Sequence, residues 1–385
     1  MERIRTKKVL VALSGGVDSA TAAALLKEQG YDVEGAFIKT WSPDWLPCTW
    51  REERLDAMRV AAHLHIPFHT VDLSHEYERD VAHYMVREYR AGRTPNPDVM
   101  CNKYIKFGAF FAWAMAQGYE YVATGHYASI EEEHKKIEPT DGMTTTYQLL
   151  AGVDGNKDQT YFLWTLTQEH LARTLFPVGS FEKVVVRKHA ERFGLPIARK
   201  KDSQGVCFLG MLNMKEFLEH YIARAPGVVL DTEGNTVGTH DGAVFYTLGQ
   251  RHGFVIHHTR PDSLPQYIVA KDVAHNTIMV APRQPEAARQ APLAREVVLT
   301  DINWVAMPPA VATHHSEQVY RARFRYRQAL VSVVITSRND DVCVVRFSEP
   351  QRYVPEGQSL VLYQEDICLG GGVIAQVHCD TVRTR

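Results

Sequence analysis

The feature that most limits how this chain can fold is a short apolar run, followed by a glycine-containing loop and an alanine-rich segment. Residues 9–13 are typical of a strand buried on both faces, and residues 20–27 are typical of a helix that ends near Gly30. The loop between them reads Ser14-Gly15-Gly16-Val17-Asp18-Ser19. This order directs backbone N–H groups and a helix N-terminus at a bound phosphate. An ordinary glycine turn is the competing interpretation.

The loop differs from the common nucleotide loop, which ends in Gly-Lys followed by Ser or Thr, because this chain contains no Gly-Lys pair. It resembles instead the pyrophosphate loop (PP-loop) of the ATP pyrophosphatases. Those enzymes split ATP into AMP and pyrophosphate while they adenylate a substrate oxygen. The resemblance implies a site for ATP, used with Mg²⁺, formed by Ala12, Leu13, Ser14, Gly15, Gly16, Val17, Asp18, Ser19, Ile38 and Gly125.

Strand and helix patterns alternate along the first part of the chain. We predict strands at 31–39, 66–73 and 119–125, and helices at 52–65, 76–90 and 103–117. The charged residues 131–136 predict a solvated hairpin. The alternation indicates an α/β fold, a doubly wound parallel sheet with ligands at the carboxyl ends of its strands.

The pattern changes near Asn213, where short strands and turns replace the alternation. Residues 283–295 are rich in Pro, Ala and Gln and are typical of a linker. Beyond them, 331–336, 342–347 and 359–363 have strand character. We therefore predict a PP-loop domain over 1–212, a small mixed domain over 213–283 and an antiparallel β-barrel over 284–385.

Composition excludes several classes of protein. The chain has 385 residues, of which 45% are hydrophobic and 23% charged, as in ordinary globular proteins. Its six cysteines include no Cys-x-x-Cys pair, which argues against a zinc ribbon, and we predict no metal-ligand cluster. The start of the chain lacks a signal-peptide pattern, and the longest apolar run, 109–116, is too short to span a membrane. We expect a cytoplasmic protein.

A second informative segment, residues 92–103, contains two prolines and a cysteine. The prolines predict an extended loop that ends where the helix begins, at or just before Lys103. Cys101 then lies at or next to a helix N-terminus, where the dipole lowers a thiol pKa. Asp98, three residues earlier, is a candidate proton-transfer group. From this loop alone, Cys101 as a small helix-start residue is an equally good interpretation.

Taken with other segments, this loop resembles the signature of the bacterial tRNA-specific 2-thiouridylases, the MnmA family. The resemblance extends along nearly the whole chain. The matching segments are Asn96-Pro97-Asp98, Cys101-Asn102-Lys103, Ile105-Lys106-Phe107, Thr124-Gly125-His126-Tyr127, Asn156-Lys157-Asp158-Gln159, Phe176-Pro177-Val178-Gly179, Lys201-Asp202-Ser203, Gly205-Val206-Cys207-Phe208, Thr247-Leu248-Gly249-Gln250-Arg251, Arg325-Tyr326-Arg327-Gln328 and Cys368-Leu369-Gly370-Gly371-Gly372.

The resemblance implies sulfur transfer to the wobble uridine of certain tRNAs. ATP would adenylate the 2-oxygen of the uracil, and Cys207 would carry a persulfide received from a sulfur-relay protein or a cysteine desulfurase. Cys101 would attack that persulfide, or help to release its terminal sulfur, which leaves a Cys101–Cys207 disulfide. Asp98 would assist, and the protein would act as a monomer.

The same resemblance implies the RNA contacts. The target base would meet Asn96, Pro97 and Asp98. Other parts of the tRNA would meet His126, Lys157, Asp158, Gln159, Arg325, Tyr326 and Gln358. The chain departs from the family after Arg251, where residues 252–258 replace a segment that is usually glycine-rich.

One pattern favours RNA contact independently of the resemblance. Residues 321–327 read Arg-Ala-Arg-Phe-Arg-Tyr-Arg, and in a strand the period of two places the four arginines on one face. Such a ladder of positive charge suits phosphates. An edge strand whose charges are merely solvated is the alternative.

Three other functions fit parts of the sequence. The first is an ATP pyrophosphatase that adenylates a small molecule and needs no thiol pair. The second is a tRNA-binding protein that consumes no ATP. The third is an iron–sulfur enzyme in which Asp98, Cys101 and Cys207 hold a cluster with one iron left open.

Overall fold

The N-terminal domain is built on a parallel sheet. The computed structural model describes residues 6–45, 50–137, 142–201, 214–257, 264–282, 293–313 and 316–379. The strands of this domain are β1 (Lys8–Ala12), β2 (Asp32–Lys39), β3 (Phe68–Asp72), β4 (Tyr121–Ala123), β5 (Ala128–Ile137), β6 (Gly142–Ala151) and β7 (Thr174–Leu175). Five of them form the sheet in the order β3-β2-β1-β4-β7, and all its pairs are parallel.

Strand β1 is buried on both faces, as its continuous apolar run predicts. Val9 and Val11 belong to one hydrophobic cluster, whereas Leu10 belongs to another on the opposite face of the sheet. Helices supply the other side of each cluster. The helices are α1 (Val17–Glu28), α2 (Trp50–Leu64), α3 (Ser74–Tyr77), α4 (His83–Arg90), α5 (Pro97–Met100), α6 (Phe111–Ala116), α7 (Gln168–Ala172), α8 (Lys183–Arg192) and, in the central domain, α9 (Met214–Glu219). The predicted α/β fold class is confirmed.

Two pairs of these helices are joined end to end by π-helical segments. Glu78–Ala82 joins α3 to α4, and Cys101–Phe110 joins α5 to α6. Thr160–Phe162 and Ala243–Phe245 form single 3₁₀ turns. Residues 97–116 therefore form one continuous helical stretch.

The central domain is a small mixed sheet. Its strands are β8 (Gly227–Leu230), β9 (Thr236–His240), β10 (Val255–Ile256), β11 (Gln266–Asp272) and β12 (Thr277–Pro282), in the order β10-β9-β8-β12-β11. Strands β8 and β12 are parallel and the other pairs are antiparallel.

The C-terminal domain is a closed antiparallel barrel. Its strands are β13 (Leu293–Trp304), β14 (Val319–Arg323), β15 (Val331–Arg338), β16 (Cys343–Arg352), β17 (Ser359–Gln364) and β18 (Ile367–Cys379). The order β13-β16-β15-β14-β17-β18 closes because β13 also pairs with β18. The predicted barrel is confirmed, while the predicted domain boundaries, after 212 and after 283, lie outside the described residues.

The hairpin β5–β6 joins the first domain to the barrel. Leu149 and Leu150 of β6 pair with Cys368 and Ile367 of β18, so the hairpin extends the barrel sheet. The sequence predicts the hairpin but gives no sign of this pairing. A buried ion pair, 3.3 Å between Asp158 Oδ2 and Arg323 Nη1, reinforces the junction.

All three domains meet at the loop formed by residues 92–96. Thr94 donates its N–H to the carbonyl of Glu356 in the barrel at 2.8 Å, and its hydroxyl lies 3.2 Å from that of Thr247 in the central domain. A Cβ on Gly92 would lie 2.6 Å from a methyl group of Val273. We call this region the three-domain junction.

No helix in the described part of the chain combines the length and the apolar composition needed to cross a membrane.

The buried ion pair gives a test of how firmly the barrel is attached. Asp158 is 3% exposed, and Arg323→Met removes its cation. We expect a loss of about 3 kcal/mol in the free energy of unfolding, near the low end for a broken buried pair, because backbone N–H groups and Thr160 still donate to Asp158 Oδ1. Denaturant unfolding monitored by circular dichroism measures this loss.

Arg346→Met is the matched control, because Arg346 pairs with Glu317 at 2.7 Å where both side chains are about half exposed. That change should cost about 0–1 kcal/mol. Equal losses in the two variants would contradict a structural role for the buried pair.

Candidate active site

The predicted phosphate loop folds back onto the first turn of α1. Gly15 has a φ of +73°, which favours glycine, and the backbone N–H of Ser14 donates to Ser19 Oγ at 3.2 Å. Ser19 Oγ in turn donates to the carbonyl of Gly16 at 3.2 Å. Gly16 is the N-cap of α1 and provides no side-chain cap, so the first-turn N–H groups face the loop without one. This is the arrangement that anions occupy at helix N-termini.

The other predicted ATP residues lie beside this loop because they end neighbouring strands. Ala12 ends β1, Ile38 is buried in β2, and Gly125 follows β4. A Cβ on Gly125 would lie 2.5 Å from the backbone nitrogen of Ser19, so only glycine fits there. The sheet order reverses between β1 and β4, where open α/β sheets bind ligands.

Asp18 lies in the first turn of α1, where its side chain is 31% exposed and is contacted by two groups from other parts of the domain. Lys183 Nζ, at the start of α8, lies 2.6 Å from Asp18 Oδ1, and Tyr127 donates its hydroxyl to the same oxygen at 2.8 Å. The Lys183 side chain is only 11% exposed. No motif around Lys183 marks it in the sequence. It becomes visible only because α8 packs against α1.

A second lysine reaches the loop from residues that precede Cys207 in sequence. Lys200 Nζ donates to the carbonyl of Gly15 at 3.1 Å and to Asp56 Oδ2 at 2.8 Å. These bonds fix the chain immediately before residues 202–213. Cys207 itself lies outside the described residues, so its distance from Cys101 stays a prediction.

The helix that carries Cys101 begins earlier than the sequence predicts. It starts at Pro97 and not near Lys103, because Asn96 acts as N-cap: its side-chain oxygen accepts the N–H of Val99 at 3.3 Å. Proline is favoured at the first helical position because its missing N–H needs no partner there. Cys101 therefore lies in the second turn, fully buried, with Asp98 one turn before it.

His126 links this helix to the phosphate loop. Lys106 donates to its Nε2 at 3.3 Å, so the proton of the neutral ring is on Nδ1, which donates to Thr124 Oγ1 at 2.7 Å. Burial, together with the nearby Lys106 charge, holds the pKa of His126 well below its usual value. With an exposure of 8%, His126 orients Lys106 in this structure, and its predicted contact with tRNA stays a prediction.

In the segment 157–159, the Asp158 side chain is buried, whereas those of Lys157 and Gln159 are partly exposed. Asp158 accepts from Gly152 and Thr160 and forms an ion pair with Arg323. The Gln159 side chain accepts the N–H of Tyr127 at 3.0 Å. Lys157 is half-buried. The three predicted tRNA contacts therefore lie side by side, but Asp158 faces the barrel.

The arginine ladder is wrong as a strand face. Strand β14 ends at Arg323, and Arg327 has a φ of +61°, so the chain turns and the period of two is lost. Arg323 is buried against Asp158, and Arg325 donates to the carbonyls of Leu248 and Tyr353 at 3.1 and 2.7 Å. Of the four arginines, Arg321 and Arg327 are the exposed ones. Beside the turn, the ring of Tyr326 lies 4.6 Å from that of Phe162.

Gln358 lies at the three-domain junction and holds the loop before Asn96. Its side-chain amide donates to the carbonyls of Thr94 and Pro95 at 3.0 and 2.9 Å. The structure thus brings Asn96, Pro97, Asp98, Cys101 and Gln358 together at one place.

The described ranges contain no candidate metal site. Within them, no three His, Cys, Asp or Glu side chains are grouped so that they would hold a metal ion. Cys207, which the iron–sulfur alternative requires, is outside those ranges.

Comparison with known families assigns all three domains. The model described as "tRNA methyl transferase HUP domain" matches residues 7–211, "tRNA methyl transferase PRC-barrel domain" matches 215–282, and "Aminomethyltransferase beta-barrel domain" matches 294–374.

Relatives match over almost the full length. The tRNA-specific 2-thiouridylase MnmA of Nitrosomonas europaea is 43% identical over 95% of this chain and 98% of its own. The MnmA proteins of Listeria innocua and Geobacillus thermodenitrificans are 43% and 44% identical, each over 96% of this chain and 95% of its own. The chain belongs to the MnmA family.

The family models that match this MnmA-family chain and its full-length relatives carry different names. The model for the first domain is named after a tRNA methyl transferase, whereas the full-length relatives are named 2-thiouridylases. The match to those relatives covers all three domains together. A solved 4-thiouridine synthetase–RNA complex with bound ATP overlaps 56% of this chain and 50% of its own, with 18% identity and a TM-score of 0.33.

The buried histidine of this MnmA-family protein predicts a pH effect on stability. Below the ordinary pKa of 6.5, the unfolded chain protonates His126 and the folded protein does not. The neutral histidine therefore contributes stability above pH 6.5 that is lost as the pH falls. We expect the stability difference between wild type and His126→Gln to change by up to about 1.4 kcal/mol per pH unit below that point.

Denaturant unfolding of both proteins between pH 5 and pH 8 measures this difference. It should be constant above pH 7, which serves as the internal control. A difference that is constant over the whole range would show that the folded protein protonates His126 as readily as the unfolded chain does.

Proposed function

We propose that this protein replaces the 2-oxygen of the wobble uridine of tRNA by sulfur, with ATP as a substrate. The observation that carries the proposal is the placement of Cys101: it is buried one helical turn after Asp98, on the helix that Asn96 caps. The same helix bears Lys106, which reaches His126 beside the phosphate loop. The helix that bears the thiol and the phosphate loop therefore both lie next to residues 124–126.

The phosphate loop fits ATP. Its first-turn N–H groups lack a side-chain cap, and Lys183 adds a cation 2.6 Å from Asp18. We propose that these groups bind the phosphates, and that the Asp18 carboxylate would help to hold Mg²⁺, which would neutralise phosphate charge. ATP would supply the adenylyl group that converts the uracil 2-oxygen into a leaving group.

The sulfur step needs two thiols. A persulfide on Cys207 would bond through its terminal sulfur to C2 of the activated uridine, and the C2–O bond would break as AMP leaves. The Cys101 thiolate would then attack the Cys207 sulfur, which breaks the persulfide S–S bond, forms the Cys101–Cys207 disulfide and releases the thiocarbonyl. Asp98 would accept the Cys101 proton, a role supported by its place one helical turn earlier, because residues three apart share a helix face. A reductant must then restore both thiols.

Two other cysteines are poor candidates for this chemistry. Burial raises the pKa of Cys343 and of Cys368 to about 12, so both remain thiols at neutral pH.

The partners in this proposal are a tRNA with a wobble uridine and a persulfide donor, either a sulfur-relay protein or a cysteine desulfurase. The enzyme would act as a monomer in the cytoplasm. Lys157, Arg321 and Arg327 are the exposed or half-exposed cations near the predicted tRNA residues, and so they are the first candidates for phosphate contacts.

The nucleotide chemistry predicts that ATP is cleaved to AMP and pyrophosphate when tRNA is present. Lys183→Met should slow AMP formation by roughly 10- to 100-fold, the effect of losing one charged hydrogen bond to a phosphate. Thin-layer chromatography of labelled ATP measures the products. Lys188→Met, an exposed lysine on the same helix, is the control.

Release of ADP and orthophosphate would exclude the pyrophosphatase reaction. Wild-type AMP formation by Lys183→Met would exclude only the role of Lys183.

The thiol pair predicts that Cys101→Ser and Cys207→Ser each abolish 2-thiouridine formation, because a hydroxyl neither carries nor attacks a persulfide at neutral pH. Both variants should still bind tRNA and ATP. Mass spectrometry of nucleosides from treated tRNA measures the product, and peptide mapping after one turnover without reductant should find Cys101 joined to Cys207.

Cys379→Ser, at an exposed cysteine of the barrel, should retain full activity as the control. A Cys207→Ser enzyme that thiolates tRNA at the wild-type rate from a persulfide donor would overturn the two-thiol scheme.

A further inference from the structure

The side-chain amide of Gln358 has an unusual number of partners for a residue expected to contact RNA. Its Nε2 donates to the carbonyls of Thr94 and Pro95 at 3.0 and 2.9 Å. Its Oε1 accepts from Asn96 Nδ2 at 3.4 Å. The Tyr161 hydroxyl also lies 3.4 Å from this oxygen, but its single proton has a nearer acceptor, the Ser359 carbonyl at 3.1 Å. A glutamine amide offers two donor hydrogens and two acceptor positions. Both donor hydrogens and one acceptor position are therefore used within the protein.

The backbone on each side of Gln358 is fixed to the same loop. Gly357 has a φ of +89°, and a Cβ there would lie 2.9 Å from the carbonyl oxygen of Thr94. The neighbouring Glu356 carbonyl accepts the N–H of Thr94 at 2.8 Å. On the barrel side, the carbonyl of Gln358 accepts the N–H of Ile374 in β18 at 2.8 Å. The amide thus extends from a rigid strand end and not from a flexible loop.

Turning Gln358 towards RNA would leave its partners unsatisfied. Thr94 is 9% exposed and Asn96 is 7% exposed, so water does not readily replace the hydrogen bonds that the Thr94 carbonyl and the Asn96 amide would lose. A direct contact between this side chain and tRNA would require breaking the hydrogen bonds that Gln358 makes to the 94–96 loop.

The loop that Gln358 holds is the one that sets the position of the reacting groups. Asn96 uses its Oδ1 to cap the helix, while its Nδ2 binds Gln358. One amide side chain therefore connects the barrel to the start of the helix that carries Asp98 and Cys101. A small displacement at Asn96 moves both of these groups relative to a bound base.

We propose that Gln358 is a positioning residue, which fixes the 94–96 loop and, through Asn96, the helix start that presents Asp98 and Cys101 to the target base. This inference deepens the proposed tRNA thiolation and rests on it for its catalytic consequence. The barrel would act on the chemistry by holding this loop, in addition to any contact that it makes with RNA.

The test uses full-length Gln358→Met, which keeps the length of the side chain and removes every hydrogen bond. Gln358→Glu is the second variant, because a carboxylate placed against two carbonyl oxygens should be at least as harmful. Gln364→Met is the control, an exposed glutamine at the far end of β17, the strand that begins directly after Gln358. Thermal unfolding checks that each variant is folded.

The first readout needs neither RNA nor ATP. Amide hydrogen exchange of the peptide covering residues 93–101 should become about 5- to 30-fold faster in both Gln358 variants, as expected for the loss of one or two hydrogen bonds, and should not change in the control. Unchanged exchange would overturn the proposal whatever the protein does to tRNA.

The second readout separates positioning from RNA contact. We expect single-turnover 2-thiouridine formation to fall by on the order of 10- to 100-fold in Gln358→Met, while the Kd for tRNA stays within about twofold. A weaker Kd with an unchanged rate at saturating tRNA would identify a direct RNA contact and overturn the proposal. If wild type forms no 2-thiouridine, the proposed function fails, and the exchange experiment still decides whether Gln358 holds the loop.

Discussion

The close approach of the barrel to the backbone of residues 94–96 is the contact on which the rest of the active site depends. It is possible because Gly357 has no side chain: a Cβ would lie 2.9 Å from the Thr94 carbonyl. The Thr94 N–H and two carbonyls of the loop are then satisfied by Glu356 and Gln358, so a polar loop is buried without loss of hydrogen bonds. The helix with Cys101 starts immediately after this loop.

The sequence predicts the architecture well because its strongest patterns are local. Residues 9–13 are apolar on both faces and form β1, and the following Ser-Gly-Gly loop sits at the start of α1 as expected. The pairing of β6 with β18 has no comparable pattern, since it joins residues more than two hundred positions apart through backbone groups. The sequence pattern places the start of the 97–116 helix too late, because the two prolines favour an extended loop, whereas Asn96 caps a helix that begins at Pro97.

The candidate site was predicted less completely, and the arginines show why. The alternation of arginine with other residues at 321–327 is a good strand pattern. The strand ends at Arg323, however, and the turn that follows directs the arginines to different surroundings. Arg323 pairs with a buried carboxylate and Arg325 binds backbone carbonyls of two domains. Lys183 shows the opposite case, because no pattern near it in the sequence indicates a role. Its contact with Asp18 follows only from the packing of α8 against α1. Both outcomes depend on tertiary contacts that a local pattern does not contain.

The central claim is that the barrel holds the loop before Cys101 in place for the target base. A crystal structure of the protein bound to a tRNA anticodon stem-loop tests it most directly. The account predicts that the wobble uridine contacts Asn96 and lies beside Cys101, with the Gln358 amide still bound to the carbonyls of Thr94 and Pro95. A complex in which Gln358 turns away from the loop to bind the RNA, or in which the uridine lies far from Cys101, would contradict it.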